Sequence, residues 1–432
     1  MNSLWKETTI PPSFPTLKEN IRTDVLIIGG GIAGILTAYL LHKKGVPYVL
    51  VEKDRICHAT TCNTTAKITV QHSLIYSQIL KEYGLEKAQM YLRSNQLAFD
   101  ELTRLCKGMD CEFEEKDNFV YSLTDRKKLE EEMLALQKIG YDARFCESVP
   151  LPFKVAGAVS FPKQGQFHPL EFLYKIADGL NIYENTFVRE MVGNTAVTSA
   201  ARITADKVIV TTHFPFINKH GLYFMKLYQH LSYVIALKNA QNVDGMYVDE
   251  SKTGLSFRSF GELLLLGGGD HHTGKKGGSW NTLKGFAAVN YPGAKEMFRW
   301  ATQDCMSLDG IPYIGQYSKN TPDLFVATGF NKWGMTSAMV SALLLNEMIF
   351  GKKTDFDELY SPSRSMLHPQ LFLNGLESIA GLLSFGTKRC PHMGCALKWN
   401  NAEHSWDCPC HGSRFDEKGK VIDNPANGDM KK

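Results

Sequence analysis

Residues 390 to 415, CPHMGCALKWNNAEHSWDCPCHGSRF, hold four cysteines and three histidines in a stretch of 26. Thiolates and imidazoles at this density bind zinc or iron, or pair as disulfides. Spacing narrows the chemistry. Cys390 and His392 stand as C-x-H, and Cys408 and His411 as C-x-x-H, so each loop offers one sulfur and one nitrogen ligand. A zinc finger usually groups its cysteines in one loop and its histidines in the other. One thiolate and one imidazole per loop instead suit a [2Fe–2S] cluster in which two histidines replace two cysteines on one iron. Gly412 and Ser413 follow the last histidine, where a hydroxyl and backbone N–H groups can donate to cluster sulfur. Zinc and a plain disulfide pair remain the alternatives to the cluster.

A second group of residues suited to chemistry lies near the start. Gly29, Gly31 and Gly34 satisfy G-x-G-x-x-G, with Ile32 and Ala33 between them. The apolar run DVLII precedes them, ILTAYLLHKK follows, and Gly45 supplies a helix stop. PYVLVE then predicts a second strand ending in Glu52, 18 residues after the last glycine. Gly29 permits the tight turn, Gly31 lets the backbone approach a pyrophosphate, and Gly34 lets helix pack on sheet. The helix N-terminus adds free N–H groups and a positive dipole end. Glu52 can accept from a ribose diol and would repel a 2′-phosphate. Strand, glycines, helix, strand and acid within one unit form a dinucleotide fingerprint, where the glycines alone would be weak.

Later segments indicate which dinucleotide. DGIPYIGQY (309–317) and LFVATGFNKWGMTSAMVSALLLNEMI (324–349) predict a strand, a glycine turn and a long apolar helix. With the fingerprint, this layout resembles the FAD-dependent oxidoreductases of the D-amino-acid oxidase type, which include glycine and sarcosine oxidases. The resemblance covers about residues 20 to 352. It implies that Gly329, Phe330, Gly334, Met335 and Thr336 line the isoalloxazine. It also implies that the Thr-rich stretch after Glu52 runs along the cofactor, making Lys53, Thr60, Thr61, Thr64, Thr65, Ala66 and Lys67 contacts. A local turn is the competing reading of that stretch. DKVIVTTHFPF (206–216) predicts a strand of the nucleotide domain leaving through Thr211 and Thr212.

CPHMGC and CPCHGS likewise match both boxes of respiratory Rieske proteins. That resemblance implies Cys390, His392, Cys408 and His411 as ligands of a Rieske-type [2Fe–2S] cluster, with Cys395 and Cys410 as a disulfide. The segment departs from that family in length. Only GLLSFGTKR precedes the first loop and FDEKGKVIDNPANGDMKK follows the second, so most of the supporting strands are missing. A segment of 52 residues, 381–432, makes a poor independent core, and the hairpins are expected to rest on the flavin domain or a second subunit.

Substrate residues carry weaker signals. Arg258, between aromatics in LSFRSF, is the candidate for a bidentate carboxylate clamp, with a structural salt bridge as the plain alternative. His271 or His272, at the end of LLLLGGGDHH, is a candidate to face the flavin, with solvated loop histidines as the plain alternative, and Lys67 completes the catalytic set. Gly269 and Gly274-Lys275 have phosphate-loop spacing, but no Ser or Thr follows the lysine and no helix begins there.

These residues need a large frame. The expected fold is α/β: a Rossmann-like FAD-binding domain, a substrate domain with a mixed or antiparallel sheet, and a short all-β Rieske-like segment. Boundaries are expected at 20–75, 151–216 and 305–352 for the discontinuous FAD domain and at 76–150 and 217–304 for the substrate or cap domain. Residues 353–380 form a connector and 381–432 the cluster segment. At 432 residues, 44% hydrophobic and 22% charged, the chain has material for several cores. A net charge of +3 argues against nucleic acid as a partner. The N-terminus lacks an apolar signal core and the longest apolar run is broken by glycines, so a cytoplasmic protein without a membrane span is expected.

The two resemblances together imply an FAD- and [2Fe–2S]-dependent dehydrogenase of a small amine or amino acid. Hydride leaves a C–N bond for flavin N5, and electrons pass singly through the cluster to an external acceptor. Electron flow from cluster to flavin in a reductase or oxygenase, and a purely structural zinc segment, are the alternatives. A homo-oligomer is compatible with all three.

Overall fold

The computed structural model describes residues 3–251, 254–384 and 388–430. Apolar β-rich runs near the N-terminus form parallel strands buried on both faces. Strand β1 (Ile21–Ile28) lies between β2 (Tyr48–Val51) and β10 (Arg202–Val210), parallel to both. The sheet extends through β17 (Leu324–Thr328) to β16 (Tyr313–Gln316) on one side and β7 (Ile182–Tyr183) on the other. An antiparallel hairpin, β8 (Glu190–Val192) and β9 (Thr195–Val197), joins β10 and completes eight strands. Helices Ile32–Lys43 and Gly334–Met348 cover this sheet, and Leu36 and Leu345 share one buried cluster.

The second sheet has nine strands and supplies the other half of the site. Its path runs β15 (Lys295–Ser307), β11 (Leu227–Lys238), β14 (Leu263–His272), β13 (Ser256–Phe260) and β12 (Met246–Asp249). It continues through β4 (Glu114–Ser122), β6 (Gly157–Gln166) and β3 (Lys67–Ile68), with β5 (Arg144–Cys146) paired to β6. All pairings are antiparallel except β12 with β4, so the expected mixed sheet is present. Two expected boundaries shift. Residues 157–166 and 67–68 fall in stretches expected in the FAD domain, yet β6 and β3 hydrogen-bond into the second sheet. The chain crosses between sheets more often than its composition signals.

The C-terminal segment forms a third, four-stranded antiparallel sheet: β18 (Lys398–Asn400), β19 (Ser405–Asp407), β20 (Arg414–Phe415) and β21 (Val421–Asp423). Its own core is small, made of the four cysteines with Leu397, Phe415 and Ala426. Arg414 bridges Glu403, Asp407 and Asp423 beneath it. Helix Pro369–Leu383 leads into the segment, and Gly381 lies where a Cβ would stand 2.4 Å from the Cys410 sulfur. Among the described residues, no helix is long and apolar enough to cross a membrane.

Candidate active site and cluster site

The glycine turn is built as the fingerprint requires. Gly29 has φ +114°, and a Cβ there would sit 2.7 Å from the Thr211 carbonyl oxygen. A Cβ on Gly34 would meet the Gly29 oxygen at 1.9 Å, so only glycine lets helix and strand close. Gly31 caps the helix, and a Cβ there would have only the Thr61 hydroxyl, at 3.3 Å, within tight range. The helix N-terminus therefore opens onto a cavity of about 460 Å³. Glu52 stands at its rim with Oε2 accepting from Gly30 N–H at 2.7 Å, and burial raises its carboxyl pKa.

The cavity wall includes Gly29, Gly31, Ile32, Ala33, Glu52, Lys53, Thr60, Thr61, Thr64, Thr65, Lys67 and Thr211 from the N-terminal side. Gly329, Phe330, Gly334 and Met335 close it from the other end. Three expected contacts stand behind the wall. Gly34 packs on Gly29, Thr336 donates to the Thr69 carbonyl at 2.7 Å, and Ala66 is fully buried. The tight turn at Gly29, the open helix end and the continuous cavity fit an elongated dinucleotide such as FAD.

Arg258 is placed differently from its expected role. It is completely buried outside the cavity wall, and its Nη1 donates to the Thr65 and Ala66 carbonyls at 2.6 Å each. The guanidinium lies 5.5 Å from both the Trp5 and Phe260 ring centres. Trp5 reinforces the same turn by donating from Nε1 to the Thr64 carbonyl at 2.8 Å. These groups hold the turn from which Lys67 projects. His271 also lies off the wall, stacked on Tyr233 at 5.9 Å with Nδ1 3.2 Å from the Gly269 carbonyl oxygen.

Other residues line the cavity where Arg258 and His271 do not. Tyr228, His230 and Ser232 alternate along β11, and Thr302, Asp304 and Met306 along β15, all lining the cavity. The register pairs Tyr228 with Met306, His230 with Asp304 and Ser232 with Thr302, so one sheet face supplies them. Burial pushes the Asp304 carboxyl up to about 6. Burial, assisted by the Arg258 charge, lowers the Lys67 ammonium to about 7. Lys332 pairs with Asp270 on the wall, and Trp333 stacks on the buried His72 at 5.1 Å. No motif announces Tyr228, His230 and Ser232; the period-2 alternation of YQHLS was their one sequence signal.

The Cys/His loops meet as two half-sites. The His392 and His411 rings lie perpendicular, 5.0 Å apart. Cys390 and Cys408 are buried free thiols, and a hydrogen bond between them makes Cys390 the more acidic, at about 7. Burial lowers His392 to about 4 and His411 to about 3, keeping both imidazoles neutral as ligands must be. A ring nitrogen of each histidine, Nδ1 in His392, is buried without a protein partner, a costly state that coordination would relieve. The Cys395, Cys408 and Cys410 sulfurs also lie mutually within 4.8 Å, but Cys395 and Cys410 are joined as a disulfide. That leaves Cys390, Cys408, His392 and His411 as a donor set suited to a [2Fe–2S] cluster.

The histidine side of this site is turned inward. His392 Nε2 lies 3.1 Å from the Asn218 side-chain oxygen, and the His411 ring is edge-on to Phe224 at 6.1 Å. Asn424 donates to the Thr212 and Phe214 carbonyls at 2.6 and 2.7 Å, tying the segment to the strand exit beside the cavity. Val421, Ile422, Asp423, Asn424, Ala426 and Asn427 themselves form part of the cavity wall.

Comparison with known proteins agrees with both sites. Residues 24–348 match the family model for FAD dependent oxidoreductases, and residues 376–432 match the Rieske [2Fe-2S] domain. YhfW of Bacillus subtilis (strain 168), named as a Rieske 2Fe-2S iron-sulfur protein, is 34% identical over 98% of this chain and 95% of its own. Gamma-glutamylputrescine oxidoreductase of Escherichia coli (strain K12) is 23% identical over 80% of this chain and 87% of its own. The structure of glycine oxidase from Geobacillus kaustophilus superposes with a TM-score of 0.67 at 21% identity, covering 80% of this chain and 99% of that one, a likeness of fold. The chain therefore belongs to the FAD dependent oxidoreductase family and carries a Rieske [2Fe–2S] domain at its C-terminal end.

Proposed function

We propose that this protein oxidises the C–N bond of a small amine or amino acid and passes the electrons one at a time through the cluster to an external acceptor. The observation that carries this reading is the inward placement of His392 and His411, against the domain that forms the cavity. Bound FAD would supply the two-electron chemistry at a C–N bond, and the cluster a one-electron exit. Gly29, Gly31, Glu52, Thr60, Thr61 and Gly329–Met335 would hold the flavin, while Cys390, His392, Cys408 and His411 would hold the cluster.

The remaining roles fall to the chain. Lys67, neutral above about pH 7, can take a proton from an incoming ammonium group. Asp304 and the Asp270–Lys332 pair give that region of the wall its charge pattern. Arg258 is fully buried off the cavity wall, which favours an amine over a substrate that needs a carboxylate clamp. The E. coli relative, an oxidoreductase of gamma-glutamylputrescine by name, is in keeping with an amine. The test is anaerobic mixing of the holoprotein with alkyl amines and amino acids while flavin absorbance and the cluster EPR signal are followed. Flavin bleaching followed by cluster reduction is expected. Cluster oxidation, or no flavin reduction by any amine or amino acid, would overturn the proposed direction or the proposed substrate class.

A further inference from the structure

Strand β11 presents two faces to two different sites. Tyr228 and His230 line the cavity, and Gln229 between them points the other way, toward the C-terminal segment. On β15, Asp304 lines the cavity and its neighbour Gln303 likewise faces the segment. Gln229 is 0% exposed and Gln303 4% exposed, so each amide must find its partners within the protein. Gln229 Nε2 donates to the His411 carbonyl at 2.9 Å and to the Asn424 carbonyl at 3.1 Å. Gln303 Nε2 donates to the Gly412 carbonyl at 2.8 Å and to Gln229 Oε1. Thr273 donates to Gln303 Oε1 at 3.1 Å, and His213 Nε2 lies 3.2 Å from Gln229 Oε1. Both amides are thereby satisfied with one fixed orientation each.

The same residues continue through to the cavity. The backbone carbonyl of Gln303 accepts from the Thr60 hydroxyl at 3.2 Å, and Thr60 lines the cavity. A Cβ on Gly412, whose φ is +80°, would stand 2.7 Å from Gln229 Cβ, so the loop is seated as closely as glycine allows. The His411-bearing loop and the cavity are thus separated by a single sheet.

We propose that Gln229 and Gln303 form a buried amide bridge that seats the His411 loop on the reverse face of the cavity sheet and fixes the interval for electron exchange between the two sites. They are positioning residues, acting through the His411 and Gly412 carbonyls. The role rests on the electron-transfer reading above. Oxidation of an amine to an imine releases two electrons and two protons. The protons go to solvent, and the electrons cross the sheet singly, the second after an external one-electron acceptor has taken the first from the cluster.

The test uses the full chain loaded with FAD and cluster, comparing Gln229→Met, Gln303→Met and the milder Thr273→Val with the unaltered protein. Flash photoreduction of the flavin gives the concentration-independent rate of cluster reduction, and hydrogen–deuterium exchange follows residues 408–415 with and without cofactors. Each methionine variant is expected to slow cluster reduction on the order of 10- to 100-fold. Faster exchange at 408–415 is expected with it, at unchanged iron content and unchanged EPR g-values. Thr273→Val should shift both readouts in the same direction by less, and it decides the matter if the methionine variants lose iron. Rates within about twofold of the unaltered chain, with unchanged hydrogen exchange, would overturn the bridge alone. No cluster reduction in the unaltered chain would overturn the electron reading and this role with it.

Discussion

Lys67 reaches the cavity from a turn tied by Trp5 and Arg258, and burial brings its ammonium down to about 7 from the usual 10.5. With a neutral amine required as base, kcat/KM should rise with pH up to about 7, and Lys67→Met should lose that limb. Stability also rises with pH, but over a higher window. Between about 7 and 10.5 the unfolded chain binds the extra proton, so the unaltered fold gains stability as pH rises through that window. Melting curves should therefore show the methionine variant more stable, with the difference greatest at or below pH 7. Arg258→Met tests the other member of the turn. Losing the donor to two buried carbonyls should cost about 1–3 kcal/mol and weaken FAD retention, read by melting and by flavin release. The KM ratio between acidic and neutral substrates should stay unchanged; a selective rise for acidic substrates would restore the carboxylate-clamp role. Glycines and Cys/His boxes were legible because their spacing encodes backbone geometry and a ligand set. The role of Arg258 was not legible, because an arginine among aromatics looks alike whether it grips a substrate or its own backbone.

At the scale of elements, the sheet that lines the cavity also supports the cluster loop. Alternation along its strands gives two faces without naming what covers either. Gln229, Leu231 and Gln303 face away from the cavity, yet nothing in their types announces a second site behind them. The GDHHTGKK stretch shows the same limit. Its glycine packs against the second cluster loop; Gly274 takes φ +77°, and a Cβ there would stand 2.6 Å from the Pro409 nitrogen. Gly274→Ala should therefore strain the turn by about 1–2 kcal/mol and lift the second cluster loop. Iron content per chain and hydrogen exchange across 408–412 measure this directly. Loss of iron with FAD retained is the expected result, whereas full iron occupancy with unaltered exchange would show that the loop does not depend on this contact.

At the scale of the whole molecule, the shortness of the C-terminal segment has a structural answer. Sequence length indicated a Rieske unit without its usual base, and four short strands with a small cysteine-rich core are what the segment builds for itself. The rest of the base is the reverse face of the cavity sheet and the strand exit at Thr212–Phe214, bound through Gln229, Gln303 and Asn424. That dependence runs both ways. Val421–Asn427 close part of the cavity wall, and Lys53 donates to the Ile422 carbonyl at 3.2 Å beside Glu52. A chain ending at Ala380 should consequently lose more than iron. The buried Gln229 and Gln303 amides would face solvent, and the wall beside the glycine turn would open. Its melting temperature should fall on the order of 5 °C or more, and FAD should dissociate more readily than from the full chain. An intact cofactor site with unchanged melting would mean that the flavin domain is complete alone and that the cluster segment is an appendage. The opposite result, loss of FAD on removing a segment that follows the entire flavin-family match, would show that the two redox sites share one wall.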